Sequence, residues 1–119
     1  NRSKRESLGL SVANIYTNSK IDFTDTSNTT VYTGPTATTS IIKSILVSED
    51  SGNADSISIT LTAGAAVFNL FKTKAISANE TVELLSQPLI MQEGEILKAT
   101  AATGNRLHMV ISVLQINRD

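Results

Sequence analysis

Cysteine is absent from the sequence, and so is tryptophan. The first absence excludes disulfides, thiolate metal sites and a cysteine nucleophile, and leaves the redox compartment undecided. The second, with tyrosine only at Tyr16 and Tyr32, leaves few of the aromatic platforms that sugar-binding sandwiches present. Histidine occurs once, at His108 inside a strand-like pattern. No G-x-S-x-G turn accompanies it, so a serine hydrolase would lack its strained nucleophile turn. Neither usual Gly-rich phosphate motif occurs. A formal net charge of −1, with basic residues scattered rather than striped, argues against nucleic acid as a partner. No apolar run approaches the roughly 18 residues that cross a bilayer, and Asn1-Arg2-Ser3-Lys4-Arg5-Glu6 lacks the apolar stretch of a signal peptide. The expectation is a soluble chain with no membrane partner.

What is present favours strands. The 119 residues are 40% hydrophobic, enough for one domain with a core that needs no staples. About a quarter of the residues are serine or threonine, while good helix formers are thin outside short patches. The rest of the chain is organised around residues 78–99, which read as three short strands with two punctuated breaks. Val82 and Leu84 alternate with Thr81 and Glu83, Pro88 lacks an N–H for the ladder, and Gly94 supplies the positive φ of a tight turn.

Upstream, residues 1–10 are polar and basic apart from Leu8 and Leu10, and are expected to form an extended N-terminal arm, either free or docked on a neighbouring subunit. Residues 11–119 are assigned to the folded domain. Residues 12–23 read as two short strands joined by a turn at Thr17-Asn18-Ser19-Lys20, and residues 25–30 as turn material. Thr29-Thr30-Val31-Tyr32-Thr33 is β-prone and stopped by Gly34-Pro35. A long apolar strand begins at Thr38, but strict alternation along it would bury either Lys43 or Ser44. A bulge at Lys43-Ser44 removes the conflict and puts Ile42, Ile45 and Val47 in the core.

Beyond a polar loop from Glu49 to Asp55, Ile57, Ile59 and Leu61 alternate cleanly with serine and threonine. Gly64 ends that strand, and residues 67–71 form another carrying Phe68 and Phe71. The last strand, residues 106–116, has Leu107, Met109, Ile111 and Val113 on one face and His108, Val110, Ser112, Leu114 and Ile116 on the other. Short strands at intervals of roughly ten residues, with Gly, Pro, Asn or Asp between them, predict an all-β fold: a single antiparallel β-sandwich of immunoglobulin-like or jelly-roll type.

Candidate chemistry is sparse. Glu93 and Glu95 flank Gly94, but a tight turn offers nothing apolar to raise a carboxyl pKa, so they read as solvated turn residues rather than an acid and base pair. Glu49, Asp50, Asn53 and Asp55 form an oxygen-rich cluster of the type hard cations favour, but the spacing does not fit the twelve-residue calcium loop, and neither metal nor cofactor is expected. Asn28-Thr29-Thr30 and Asn79-Glu80-Thr81 match the glycosylation acceptor pattern, which a threonine-rich chain produces by chance.

Four segments carry a resemblance: Val31-Tyr32-Thr33-Gly34-Pro35, Ile41-Ile42-Lys43-Ser44-Ile45-Leu46-Val47, Ile76-Ser77-Ala78-Asn79-Glu80-Thr81, and Pro88-Leu89-Ile90-Met91-Gln92-Glu93-Gly94-Glu95-Ile96-Leu97-Lys98. In order and spacing they resemble small β-sandwich virion proteins of tailed bacteriophages, over about residues 29–116. That family often has an aspartate after the turn glycine, where this chain has Glu95, and residues up to 28 have no counterpart. The resemblance implies a non-enzymatic structural component of the virion, made in the host cytoplasm and placed at the head as decoration or cement, at the neck or on the tail. Its implied partners are other virion proteins, in a homo-oligomer or symmetric assembly. The alternative is an adhesin-like or carbohydrate-binding module.

The last strand locates the contact. One apolar face suffices to join a sandwich, so Val110, Leu114 and Ile116 are surplus. Either they are covered within the domain by Leu8 and Leu10, or they form an exposed stripe that, with the arm, meets a partner. Leu8, Leu10, Val110, Leu114 and Ile116 are the expected interface residues.

Overall fold

A computed structural model describes residues 13–118, so the arm expected over residues 1–10, with Leu8 and Leu10, lies outside the described residues. Among those described are nine strands: β1 (Asn14–Asp22), β2 (Thr29–Thr33), β3 (Thr38–Glu49), β4 (Asp55–Ala63), β5 (Ala66–Ile76), β6 (Thr81–Glu83), β7 (Leu89–Met91), β8 (Ile96–Ala101) and β9 (Leu107–Asn117). Their antiparallel pairings are nested: β4 with β5, β3 with both β6 and β7, β2 with β8, and β1 with β9. The chain is one long hairpin, and wrapping it places alternate pairs in opposite sheets. Pairing of β9 with β3 and of β8 with β4 closes the two sheets, in the orders β1-β9-β3-β6/β7 and β2-β8-β4-β5. This is a jelly roll. The connections from β1 to β2, β2 to β3 and β3 to β4 each change sheet, which separates it from the immunoglobulin order, where β-hairpins stay within one sheet.

The central run forms β6, β7 and β8 as its punctuation predicts. Pro88 stands immediately before β7, and Gly94, at φ 82°, turns the chain between β7 and β8. A Cβ at Gly94 would meet nothing within 4 Å, so only the backbone conformation resists substitution. Gly94→Ala is therefore expected to destabilise the domain by roughly 1 kcal/mol; an unchanged denaturant midpoint would contradict this.

The core lies between the sheets. Ile42, Ile45 and Val47 of β3, Ile57 and Ile59 of β4, Leu97 of β8 and Leu107, Met109, Ile111 and Val113 of β9 are all buried. Full burial of each large side chain contributes about 1.5–3 kcal/mol. The bulge in β3 falls where the alternation conflict demands it: Ile42 faces Val113 and Ser44 faces Ser112, leaving Lys43 as the extra, exposed residue. Glu83 secures it, accepting hydrogen bonds from Ser44 Oγ and, at 2.8 Å, from the Ile45 N–H.

Two expectations need correction. The two strands expected over residues 12–23 are not found among residues 13–23, the part described; β1 runs unbroken, its residues 14–22 facing residues 116–108 of β9. Thr17, Asn18, Ser19 and Lys20 lie on an edge strand, where polar side chains reach solvent without cost, and Ser19 Oγ donates to the Val31 carbonyl at 2.7 Å. The strand predicted over residues 67–71 extends to Ile76 through Lys72, Thr73 and Lys74. Thr73 sits at φ 48° in a bulge whose freed N–H bonds to Ser58 Oγ at 2.9 Å.

Candidate functional site

Antiparallel register brings apolar residues from four strands into line on the outer face of the first sheet. Tyr16 of β1 stands opposite Leu114 of β9, Leu114 opposite Ile41 of β3, and Ile41 opposite Ile90 of β7. A second row runs Lys20, Val110, Leu46, Glu83 across β1, β9, β3 and β6. Tyr16 is 76% exposed and Val110 37%, and Leu46 and Ile90 are exposed as well. Leu114 and Ile116 are half-buried. Neighbouring side chains on the same face account for this, because directly opposed Cβ atoms in a sheet lie about 5 Å apart.

Of the interface residues read from the sequence, Val110, Leu114 and Ile116 thus share one face, while Leu8 and Leu10 lie outside the described residues. Sequence reasoning missed Tyr16, Ile41, Leu46 and Ile90. The signal for two of them was available: once the β3 bulge turns Ile42, Ile45 and Val47 inward, Ile41 and Leu46 must point outward.

Polar groups fringe the rows. His108 Nε2 lies 3.2 Å from Asp22 Oδ1 and its Nδ1 3.4 Å from Asp50 Oδ2, so the histidine bridges the end of β1 and the loop after β3. Between the two rows a shallow, open depression of about 310 Å³ is lined by Tyr16, Thr17, Asn18, Lys43, Ser112 and Val113. Such a face can dock an apolar surface and exchange hydrogen bonds at its hydroxyls, amide and ammonium.

The other sequence candidates have structural partners. Glu93 Oε1 accepts from Arg118 Nη2 at 2.9 Å, and Glu95 Oε1 from the Gln92 N–H at 2.8 Å. The oxygen-rich cluster is dispersed: Asp50 faces His108, and Asp55 Oδ2 accepts from the Thr103 N–H at 3.1 Å. Glu49 does not open the polar loop expected over Glu49 to Asp55 but ends β3 with 2% exposure. Its carboxylate accepts from Ser51 Oγ and from the N–H groups of Ser51, Gly52 and Asn79 at 2.9–3.0 Å. Burial alone would raise its pKa, but these donors outweigh burial and lower it from 4.5 to about 2.

No family model matches this chain, and no curated protein matches it either.

Proposed function

We propose that the protein is a non-enzymatic structural component of a bacteriophage virion, acting through protein–protein assembly at the head, neck or tail. The observation that carries this reading is the apolar row Tyr16–Leu114–Ile41–Ile90, which crosses the outer face of one sheet and remains accessible. A contiguous apolar face rimmed by polar groups is the chemistry of a surface that becomes buried on a neighbour. The jelly roll is compatible with this, since capsid proteins use it, although lectins and cupins do too. The order and spacing of the four segments between residues 31 and 98 point the same way.

The double variant Val110→Asp with Leu114→Asp tests the reading. Both side chains lie on the solvent side of the sheet, so the domain is expected to keep its circular dichroism spectrum and a cooperative melt while losing incorporation into particles. Ile90→Asp, on a short edge strand, is a milder substitution of the same row. Normal incorporation of the folded variants would end the proposal, and loss of folding in both would mean that the face belongs to the core.

A second reading, an adhesin-like or carbohydrate-binding module, draws on the depression beside Tyr16. An exposed tyrosine ring flanked by Asn18, Ser112 and Lys43 offers one stacking platform and several hydrogen-bonding groups. Glycan binding that Tyr16→Ala abolishes, in a protein that stays off particles, would favour it.

A further inference from the structure

The depression on the outer face of the first sheet owes its shape to small residues. Ser112 lies between Val110 and Leu114 on that face of β9, and it stands opposite Asn18 of β1 and Ser44 of β3. Bulkier rows flank it on either side, Tyr16–Leu114–Ile41 and Lys20–Val110–Leu46. Lys43, the extra residue of the β3 bulge, completes the lining. The groups left free there are chiefly donors. Asn18 Oδ1 is occupied by Lys20 Nζ at 3.0 Å, so the Asn18 side chain has its NH₂ group left to offer, beside the hydroxyls of Thr17 and Ser112 and the ammonium of Lys43. No carboxylate is among the described residues that line the depression, and among the described residues neither Lys20 nor Lys43 is in an ion pair. The Glu83 carboxylate is taken up by Ser44 Oγ and by the N–H groups of Ile45 and Leu85.

We propose that this depression binds a carboxylate-bearing sugar unit of a glycan, a uronate or a sialic acid. The carboxylate accepts from Lys43, the ring hydroxyls exchange hydrogen bonds with Thr17, Asn18 and Ser112, and the C–H face of the ring lies on Tyr16. The inference rests on the carbohydrate-binding reading above and adds the charge of the ligand. A volume of about 310 Å³ stands at the lower end of small-ligand sites and suits about one or two sugar rings. An acidic peptide would meet the same ammonium, but β9 lies between β1 and β3 with its main chain paired on both sides. The floor therefore offers a peptide no strand edge to extend. Sugar hydroxyls need only the side chains that are there.

Amide chemical shifts of the full chain, titrated with galacturonate, N-acetylneuraminate and galactose, test this. At least one of the two acids is expected to move the Asn18, Lys43 and Ser112 signals with a Kd of about 1–10 mM. Galactose should bind about tenfold more weakly, the difference one charge-assisted hydrogen bond makes. Lys43→Gln, at the exposed bulge residue, should abolish that preference with an unchanged melt, while Tyr16→Ala should weaken acid and neutral sugar alike. Raising the salt to about 0.5 M should weaken the acid and leave galactose unaffected. Equal affinity for galactose and both acids would overturn the proposal and leave the carbohydrate reading standing; no shift with any of the three would overturn both. Acid binding that Lys43→Gln leaves intact would also overturn it. Poly-glutamate that moves the same signals independently of Tyr16 would identify an acidic peptide as the ligand and overturn it too.

Discussion

Gly34→Ala is expected to be among the most damaging single-atom-group additions in the domain, lowering its stability by about 3 kcal/mol. Gly34 is buried at the end of β2, and a Cβ there would stand 2.3 Å from the Gln92 carbonyl oxygen and 3.2 Å from its carbon. Both are backbone atoms, so no side chain can swing away. The turn above is held from both sides: the Gly34 N–H donates to the Glu95 carbonyl at 2.8 Å, and the Gly94 N–H donates to the Gly34 carbonyl at 2.9 Å. Making room for a methyl group means separating β2 from the β7–β8 turn and weakening both bonds. Against a typical total of about 5–15 kcal/mol, the loss should shift a urea midpoint by about 1.5 M for a slope near 2 kcal/mol per molar. A shift no larger than that of Gly94→Ala would mean that the turn moves aside freely.

Glu49 is expected to contribute most to the response to acid, since its carboxyl pKa is lowered to about 2. Its folded-state pKa lies below the unfolded value, so as pH falls the unfolded chain takes up the proton first. The stability the carboxylate supplies is complete above about pH 4.5 and is lost progressively as pH falls toward about 2. Glu83 acts in the same sense: burial pushes its pKa up, but hydrogen bonds from Ser44, Ile45 and Leu85 pull it lower overall. Glu49→Gln keeps the size but turns an NH₂ group toward N–H donors that need an acceptor, which leaves buried donors unpaired. The variant is expected to melt well below wild type at pH 7, with the gap narrowing as pH approaches 2. Melting curves from pH 7 to pH 2.5 check this, and parallel profiles for the two proteins would remove Glu49 as the source of the acid response.

The features legible in the sequence were those enforced by core burial or backbone chemistry. Ile42, Ile45 and Val47 cannot all turn inward without an extra residue at Lys43, so the bulge could be read in one dimension. Pro88 and Gly94 likewise act where they stand. Edge strands were less legible, because residues such as Asn18 or Lys74 tolerate a half-solvated strand as readily as a turn. Buried polar pairs were hidden for another reason. Tyr32 Oη meets Ser40 Oγ and accepts from Gln115 Nε2, both at 2.7 Å, but Gln115 is 83 residues away in sequence. Glu49 looked like a loop acid because the donor from Asn79 belongs to a turn 30 residues on. The candidate face was half legible: β9 displays its surplus apolar residues by itself, while Tyr16 and Ile90 join them only through register.

The nested pairing also sets an order of events. Among the described strands, β4 and β5 are the ladder partners joined by a tight turn, at Gly64-Ala65, so they can close with little loss of loop entropy. Each enclosing pair then closes across a segment already shortened by the pair inside it. Contacts so distant in sequence place the domain among the slow folders, in the millisecond-to-second range. During synthesis the delay is longer, because among the described residues β1 pairs only with β9, which is made after the other eight described strands. At about 5–20 residues per second, the ribosome needs on the order of ten seconds to travel from the end of β1 to the end of β9. For that interval β1 lacks the ladder partner it has in the fold, and a strand carrying Asn18 and Lys20 is less prone to pair with other chains than an apolar one.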